Sequence, residues 1–374
     1  MLRNTGRLNI PNVYLTEKKD FVFHSVFCGD KIYQPRIADN EHNLMDEIEA
    51  IAKKYANDEI FCIACSDEFI LPLSQYRNQL PKNIILNQPS YDTILSCVDK
   101  YKFYCILEEL KIPTPKIFEF EAYQSGERGQ DDLSFPCFVK PKYSHLFQKQ
   151  FGKKGFTCYS SEDILNIRKI LGSYIKDVFI QEIILGNSRN HFYCDGYISK
   201  DRSKNFLFAR QRLNMFPPEW GNSTSLISIK SDILFPVINH LDLLMDKLEY
   251  SGIYSLEVKY DESDGKFKFI ELNPRSWWYN IFPSMCGLNL YQIAIDDLKN
   301  QIKNSYSYKE GIHFVYMWPE VKALLGKIKS GKTGLLTALK EFSPALQGPI
   351  FALDDLKPIL FRFGEFVQSK LNFK

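Results

Sequence analysis

The sequence predicts a mixed α/β and α+β protein in which a parallel-sheet unit is followed by a small α+β unit, a larger β-rich unit and a mostly helical C-terminal extension. In residues 1–112, short apolar runs alternate with helical patterns, which is typical of a parallel sheet. Pro113 and Pro115 then end a helical pattern and mark a boundary. Further on, two strand-like runs, 254–260 and 268–275, flank a turn-rich link and predict a hairpin.

The N-terminal unit is predicted from three apolar runs that helical patterns separate. Ser66 precedes two acidic residues, as the N-cap of a helix should. A further helical pattern runs from Tyr91 to Leu110 and stops at the two prolines. The predicted strands are 21–27, 60–64 and 83–86, and the first helices lie near 43–56 and 67–79.

The units that follow are also predicted from apolar runs and their spacing. In the small unit, strands are separated by a loop at 142–155 and by one helix. The larger unit contains several strands, a helix at 232–248 and the hairpin. The predicted strands are 116–120, 136–140, 156–159 and 178–183 in the small unit, and 191–198, 206–210 and 225–229 in the larger one.

Two carboxylates are predicted to meet in the hairpin, because Glu257 and Glu271 each lie within an otherwise apolar run. An unpaired buried carboxylate is costly, so a cation is expected beside them. Asn273 and Arg275 follow Glu271 at intervals of two and therefore share its strand face. Oxygen ligands of this kind suit Mg²⁺ that is held jointly with phosphates. The alternative, a structural hairpin whose glutamates form salt bridges, stays open here.

Composition excludes a partner that is attracted by bulk charge. Lys and Arg total 47 and Asp and Glu total 45, a formal charge of +2, so neither nucleic acid nor a membrane surface is a predicted partner. The nine cysteines lie mostly in apolar runs, which favours reduced thiols in the cytoplasm. Cys62 and Cys65 form a C-x-x-C pattern without the second pair that a zinc site needs. No run is long enough to span a membrane, and nothing indicates an oligomeric state.

Other side chains are candidates for binding a nucleotide. Lys140 ends an apolar strand beside a basic loop, which suits phosphate binding, although a lysine extending to solvent from a strand end is the alternative. Lys100 begins a helix and, taken alone, is a solvated charge. The buried run 178–186 turns polar at Gln181 and Glu182, where a linker can bind the edge of a purine. The six histidines show no metal spacing.

These residues together resemble the ATP-grasp superfamily, and within it the carboxylate–amine ligases also described as ATP-dependent carboligases. Each motif is weak alone, and the resemblance rests on their order and spacing over residues 60 to 300. It implies an ATP-grasp fold behind a Rossmann-like pre-ATP-grasp domain that lacks its first strand. The motifs are Asp99-Lys100, Ile112-Pro113-Thr114-Pro115, Phe135-Pro136 to Lys140-Pro141, Gln181 to Gly186, Leu256-Glu257-Val258-Lys259 and Glu271-Leu272-Asn273-Pro274-Arg275.

The resemblance implies four regions in the chain. They are a pre-ATP-grasp domain at 1–112, a small lid subdomain at 113–185, a large subdomain at 186–300 and a C-terminal helical extension at 301–374. It also implies ATP as the cofactor, bound between the two subdomains. The residues implied to bind it are Lys100 and Lys140 at the phosphates, with Gln181, Glu182 and the Ile184 backbone at the adenine and ribose.

The reaction implied by the resemblance is ligation with release of ADP and phosphate. A substrate carboxylate is activated as an acyl phosphate, and a small-molecule amine then attacks it. The metal is Mg²⁺, one or two ions, with Mn²⁺ as an alternative. The implied metal ligands are Glu257, Glu271 and Asn273, and the implied catalytic residues are Arg275, Arg210 and Arg212.

Two alternatives remain from the sequence. The loop 142–155 contains few glycines for a flap over phosphates, which favours an ATP-binding module without ligase activity. Residues 326–333 match the P-loop pattern, so a P-loop NTPase centred on Lys332 is the other alternative. A working P-loop follows a strand, whereas residues 319–325 predict a helix. Aromatic residues in 211–224 and 276–289 indicate a bulky substrate whose identity the motifs do not specify.

Overall fold

The structure is a computed structural model that describes residues 1–37, 40–125, 133–218, 220–331, 336, 348 and 350–371. It confirms the predicted α/β and α+β class. Its strands form two parallel pairs, one four-stranded antiparallel sheet and one six-stranded antiparallel sheet. The proline boundary separates the parallel pairs from the antiparallel sheets, as the sequence predicts.

The N-terminal unit contains the two parallel strand pairs, β1–β2 and β3–β4. Two strands, β1 and β2, precede the first long helix, and neither coincides with the strand predicted at 21–27. The elements are α1 Leu2–Gly6, β1 Val13–Thr16, β2 Asp30–Tyr33, α2 Glu41–Lys54, β3 Ile60–Cys62, α3 Asp67–Gln75, β4 Ile84–Leu86, α4 Tyr91–Val98 and α5 Lys100–Glu109.

The strand predicted at residues 21–27 is wrong. Residues Phe21–His24 form a 3-10 helix, because the Asp20 carboxylate accepts hydrogen bonds from the backbone N–H groups of Val22 and Phe23. An aspartate that caps its own following turn competes with extended structure. The run contributes the buried side chain of Phe21 to the interior, which accounts for part of its apolar character.

The small unit is a four-stranded antiparallel sheet in the order β5-β8-β6-β7. One face of the sheet packs on a core that includes Val139, Phe147 and Ile164. Phe138 and Lys140 alternate with Val139 and therefore lie on the opposite face. The elements are β5 Ile117–Glu119, α6 Phe120–Ser125, β6 Cys137–Pro141, α7 Ser144–Phe151, β7 Phe156–Cys158, α8 Ser161–Leu171 and β8 Val178–Glu182.

The segment 142–155, predicted as a loop, is largely the helix α7. Phe147 anchors this helix in the core of the small unit, where it is fully buried. The helix ends at Gly152, which has a left-handed φ of 65° and donates its N–H to the Gln148 carbonyl. Glycine adopts this conformation without steric cost, so the sequence did contain the stop signal of a helix.

The large unit is a six-stranded antiparallel sheet in the order β13-β12-β9-β10-β11-β14. One face packs on α9, α4 and α5 through residues such as Leu256 and Leu241. The other face packs on α10 and α11 through Phe208 and Phe282. The elements are β9 His191–Ile198, β10 Asn205–Phe216, β11 Asn222–Ser228, α9 Phe235–Lys247, β12 Gly252–Asp261, β13 Lys266–Asn273, α10 Ile281–Met285, α11 Leu290–Leu298 and β14 His313–Val315.

The described part of the C-terminal extension contains two long helices, α12 Met317–Lys329 and α13 Lys357–Leu371. The carboxylate of Glu320, on α12, is buried and accepts hydrogen bonds from Asn214 and Thr224 on the large sheet. Ahead of α13, Asp355 is bound by Arg3 at 2.8 Å. The extension is thus fastened to both the large sheet and the N-terminal segment. None of the described helices is long and apolar enough to cross a membrane.

Candidate functional site

The site is built on the hairpin of β12 and β13, which is present as predicted. Glu257 lies directly opposite Glu271 across the two strands, and Ser255 lies opposite Asn273. The register shifts after the glutamate pair, because Val258 lies opposite Phe269 and the extra residue is on β13. The Asn273 amide donates to one oxygen of Glu271 over 3.2 Å. The three predicted oxygen ligands are therefore adjacent on one face of the hairpin.

Glu271 is held by a lysine from the N-terminal unit. The Lys100 ammonium lies 2.6 Å from a Glu271 oxygen, although 171 residues separate the two in the chain. The charge of Lys100 lowers the pKa of Glu271 to about 2. Burial opposes the charge on Lys100, yet the charge of Glu271 prevails and raises the pKa of the lysine. Asp99 accepts the N–H groups of Tyr101 and Lys102 and so fixes the start of α5 at Lys100.

Glu257 is held within its own sheet. One of its oxygens accepts from Arg212 at 3.1 Å and from Nδ1 of His191 at 2.7 Å. Burial opposes the charged form, but Arg212 and His191 outweigh it and lower the pKa of Glu257. Burial also lowers the pKa of His191, which favours a neutral ring that donates from Nδ1. The sequence favoured a structural role for His191 over a contact with ribose or phosphate, and its pairing opposite Lys259 on β12 brings it here.

Arg210 is enclosed within the large unit, and its predicted contact with phosphate and substrate remains a prediction. Its guanidinium is 2% exposed and forms two hydrogen bonds with the buried Asp195, at 2.6 and 3.2 Å. It also stacks over the ring of Tyr193 at 3.7 Å. Arg210 and Arg212 share a strand face, as predicted, but Tyr193 and Asp195 enclose the former. Arg212 remains beside Glu257, and its Nε donates to Ser223 at 2.8 Å.

Lys140 projects from the face of the small sheet opposite to its core. Its ammonium donates to the Tyr104 hydroxyl at 2.9 Å and to the Gln181 amide oxygen at 3.3 Å. Burial lowers the pKa of Lys140 to about 7, and the charge of Lys100 acts in the same direction. The amide nitrogen of Gln181 is buried and has no hydrogen-bond partner. Both side chains could therefore gain from an anionic or polar ligand.

The predicted base-binding residues at the end of β8 already have protein partners. Glu182 accepts the Lys116 backbone N–H over 3.3 Å. The Ile184 carbonyl accepts from the Lys259 ammonium at 2.6 Å. Burial lowers the pKa of Lys259. A carbonyl oxygen can accept two hydrogen bonds, so a ligand that uses the Ile184 carbonyl would share it with that lysine.

Arg275 leaves the hairpin and contacts the N-terminal unit rather than the carboxylates. Its Nε donates to Asp67 at 2.6 Å, at the start of α3. The following residue, Ser276, donates its N–H to the Ala64 carbonyl over 3.2 Å. The sequence singled out the turn at Ser66 to Glu68, but it gave no reason to pair Asp67 with Arg275.

The oxygen atoms of the predicted metal ligands on the hairpin suit a divalent cation that is also coordinated by a bound small molecule. Among the described residues, no group of three or more His, Cys, Asp or Glu side chains is placed to hold a metal ion. Glu257 and Glu271 supply two carboxylates and Asn273 an amide oxygen. Their charges are at present balanced by Lys100 and Arg212. A set this small suits Mg²⁺, which keeps several positions for water and phosphate oxygens.

The P-loop pattern is not built as a P-loop. Gly326 lies inside α12, and no strand leads into the pattern. Lys332 and Thr333 lie outside the described residues. Because a P-loop needs a strand before it and a helix after it, the helical start of the pattern argues against phosphate binding there.

Comparisons with known proteins identify similar ligases and similar folds. No protein-family model matches the chain. The D-aspartate ligase of Enterococcus faecium is 26% identical over 254 residues, which cover 66% of this chain and 59% of that ligase. The L-amino acid ligase of Bacillus licheniformis superposes with a TM-score of 0.60 at 15% identity, over 82% of this chain and 74% of that one.

A further structure is the biotin carboxylase domain of the Hydrogenobacter thermophilus 2-oxoglutarate carboxylase, in complex with MgADP, ADP and bicarbonate. It superposes with a TM-score of 0.64 at 12% identity, over 83% of this chain and 70% of that one. The chain has the ATP-grasp fold. The resemblance read from the sequence motifs is thereby confirmed. The chain spans 59% of the length of the D-aspartate ligase, so the activity of that whole protein is not transferred by similarity alone.

Proposed function

We propose that the protein is an ATP- and Mg²⁺-dependent ligase that forms an amide bond and releases ADP and phosphate. The contact between Lys100 and Glu271 carries the proposal, because it brings a phosphate-binding cation from one unit against the carboxylate hairpin of another. Lys140 lies near the same carboxylates, and their charges act on its pKa. Cations beside carboxylates suit a metal–nucleotide complex, whose phosphates pair with the lysines while its metal meets the carboxylates.

Nucleotide binding in this proposal depends on Lys100, Lys140 and Gln181. The two ammonium groups neutralise phosphate charge in a buried site, where such contacts are stronger than in water. The free amide of Gln181 supplies a donor for the purine or ribose. Glu182 and the Ile184 backbone would join the base site, where the Ile184 carbonyl also accepts from Lys259.

Metal binding is assigned to Glu257, Glu271 and Asn273, which would hold Mg²⁺ or, alternatively, Mn²⁺. When bound, the metal supplies positive charge next to the phosphates of ATP. Arg212 and His191 fix one oxygen of Glu257 and thereby aim the other.

The chain supplies charge and position rather than a covalent nucleophile. A substrate carboxylate oxygen attacks the γ-phosphorus of ATP, the bond from that phosphorus to the β-phosphate oxygen breaks, and ADP leaves. An amine then attacks the acyl carbon, phosphate departs, and the amine loses a proton. Arg212 and Arg275 are assigned to stabilise the transferred phosphoryl group and the acyl phosphate, Arg275 after it exchanges Asp67 for the substrate. Arg210 acts through Tyr193 and Arg212 and is a positioning residue.

The substrates are proposed to be small molecules, at least one of them an amino acid. The names of the D-aspartate ligase and the L-amino acid ligase support this class. The division into 1–112, 113–185, 186–300 and 301–374 stays part of the proposal, although β14 in the last of these regions pairs with β11 of the large sheet. A cytoplasmic location is likewise retained from the cysteine content.

The test is a screen for ADP release over pairs of carboxylates and amines, with amino acids in both sets. We expect ADP release that requires both substrates and Mg²⁺. Glu271→Gln should lower that rate by about 100-fold or more, since it removes a metal ligand. Glu249→Gln is the matched control, because this exposed glutamate is remote from the hairpin end and should retain full activity. Retention of most activity in Glu271→Gln would overturn the metal assignment.

An ATP-binding module without ligase activity is the second candidate. The helix α7, which replaces an open glycine-rich flap, is the observation that favours it. In that case ATP would raise the melting temperature, and no pair of substrates would release ADP. A Lys332→Ala variant that still binds ATP would exclude nucleotide binding at the P-loop pattern.

A further inference from the structure

Trp220 bridges the large unit to the small unit. It belongs to the connection between β10 and β11, and its indole stacks on the ring of Phe138 in β6, with centroids 4.2 Å apart and planes at 29°. The indole N–H donates to the Thr157 hydroxyl in β7 over 3.2 Å. This connection is called the strap below, and its described residues are Pro217, Pro218, Trp220 and Gly221.

The strap is also bound by the end of the helical flap. The Lys154 ammonium donates to the Trp220 carbonyl at 3.0 Å and to the Asn222 side-chain oxygen at 3.1 Å. The next residue, Gly155, packs against the Phe138 ring, where a Cβ would lie only 2.5 Å from it. Trp220 itself has a left-handed φ of 57°, which is unfavourable for a residue with a Cβ. An unfavourable backbone that persists at a site is a reason to look for a function.

The surface that Trp220 covers is the one assigned to the nucleotide. Phe138 lies directly opposite Gln181 on one side and Thr157 on the other, so the three form a row across the small sheet. Directly opposite residues share a face, and Lys140 shares it because it lies two residues beyond Phe138. The ring of Phe138 is the apolar part of this row, and the indole of Trp220 covers that ring.

We propose that Trp220 occupies part of the purine subsite in the nucleotide-free protein and that the base of ATP displaces it. The inference rests on the proposed function, since it requires ATP to bind on this face. An indole and a purine are planar and of similar size, so one face of Phe138 cannot stack with both. Displacement breaks the hydrogen bond to Thr157 and frees the Lys154 ammonium for the nucleotide. Trp220 thus lowers nucleotide affinity and connects ATP binding to release of the strap.

The test uses the four tryptophans of the full chain and a non-hydrolysable ATP analogue with Mg²⁺. Calorimetry measures the affinity of the analogue. Its binding should also change the tryptophan emission of the wild-type protein. Trp220→Phe should abolish the change, while Trp318→Phe should keep it, because Trp318 is exposed on α12. Trp220→Ala should bind the analogue about three- to tenfold more tightly, since it removes a stacking competitor.

Thr157→Val separates the hydrogen bond from the stacking. It keeps the stack on Phe138 and should tighten analogue binding less than Trp220→Ala does. Equal or weaker binding by Trp220→Ala, or an emission change that survives Trp220→Phe, would overturn the role of Trp220 while leaving ATP binding intact. Absence of analogue binding in the wild type and every variant would instead overturn the proposed function, and this inference with it.

Discussion

The interior of the six-stranded sheet and its boundary with the N-terminal unit hold carboxylates in different ways. Inside the sheet, Asp195 on β9 and Glu257 on β12 are both bound by arginines of β10, and Arg212 reaches Glu257 across the intervening strand β9. At the boundary, Glu271 is bound by Lys100, a residue of the other unit. The interior pairs are therefore set by strand register alone, whereas the boundary pair forms only when the two units are docked.

This difference indicates which part of the site is fixed before a nucleotide binds. Strand pairing determines where Arg212 meets Glu257, because both residues lie on strands of the same sheet. Lys100 can leave Glu271 if the N-terminal unit shifts, and a cation shared with phosphate could replace it. We therefore expect variants of the interior pairs to affect folding, and variants of the boundary pair to affect mainly ligand binding.

The largest effect on stability is expected from Arg210→Met. Asp195 is fully buried and would lose its arginine partner, with an apolar side chain in its place. Breaking a buried ion pair on one side costs about 3 to 5 kcal/mol. Urea unfolding should show this loss, and the double variant Arg210→Met with Asp195→Leu should recover much of it. An unchanged unfolding midpoint in the single variant would contradict the interior role of the pair.

Lys140→Met should stabilise the protein, which makes it the opposite of the interior variants. The pKa of Lys140 falls to about 7 in the folded state, from 10.5 when free, so folding below pH 10.5 disfavours its charged form. We expect the variant to unfold with a free energy about 2 kcal/mol higher than the wild type near pH 7. This gain is less than the full pKa shift implies, because the lysine side chain keeps some contact with water.

The pH dependence gives the sign of the Lys140 effect. Between pH 7 and pH 10.5 the unfolded chain binds more protons, so wild-type stability should rise with pH while that of Lys140→Met should not. The gap between the proteins should be largest below pH 7 and should close near pH 10.5. A constant gap across this range would show that the lysine is charged throughout. ATP binding by the wild type at pH 8 should also take up a proton, which calorimetry in two buffers detects.

Lys100→Met should destabilise the protein by about 1 to 2 kcal/mol, less than the interior variant, since the Lys100 and Glu271 side chains are only partly buried. The pKa of Glu271 is lowered to about 2 from 4.5, so the contribution of this pair is complete above pH 4.5 and is lost as pH falls towards 2. The difference between wild type and variant should shrink over that window. ATP affinity should fall in the variant as well, because Lys100 is assigned to the phosphates.

The sequence predicted the interior better than the boundary, and the reason is physical. Alternation within one strand fixes which residues share a face, so the adjacency of Glu257 and Glu271 followed from local pattern. The burial of Arg210 did not, because it depends on Tyr193 and Asp195 packing around it from β9. Depth in a sheet is a tertiary property, and alternation carries no information about it.

Contacts between units were predicted only through the resemblance. Lys100 on its own is an ordinary surface lysine in sequence, and 171 residues separate it from Glu271. The pairing of Arg275 with Asp67 had no local signal at all. By contrast, the error at 142–155 was avoidable, since Gly152 is a helix stop signal.

The smallest effect is expected from Lys247→Met, which tests whether distance or environment determines the strength of a pair. The Lys247 ammonium lies 2.6 Å from Glu109, the same separation as Lys100 from Glu271. Its two side chains are 44% and 58% exposed, so water screens the attraction and about 0.5 kcal/mol or less should be lost. Unfolding of both methionine variants under the same conditions compares the pairs directly. An equal loss of unfolding free energy in the two variants would mean that burial does not strengthen the pair of Lys100 and Glu271. Lys100 would then stabilise the protein no more than a surface lysine does.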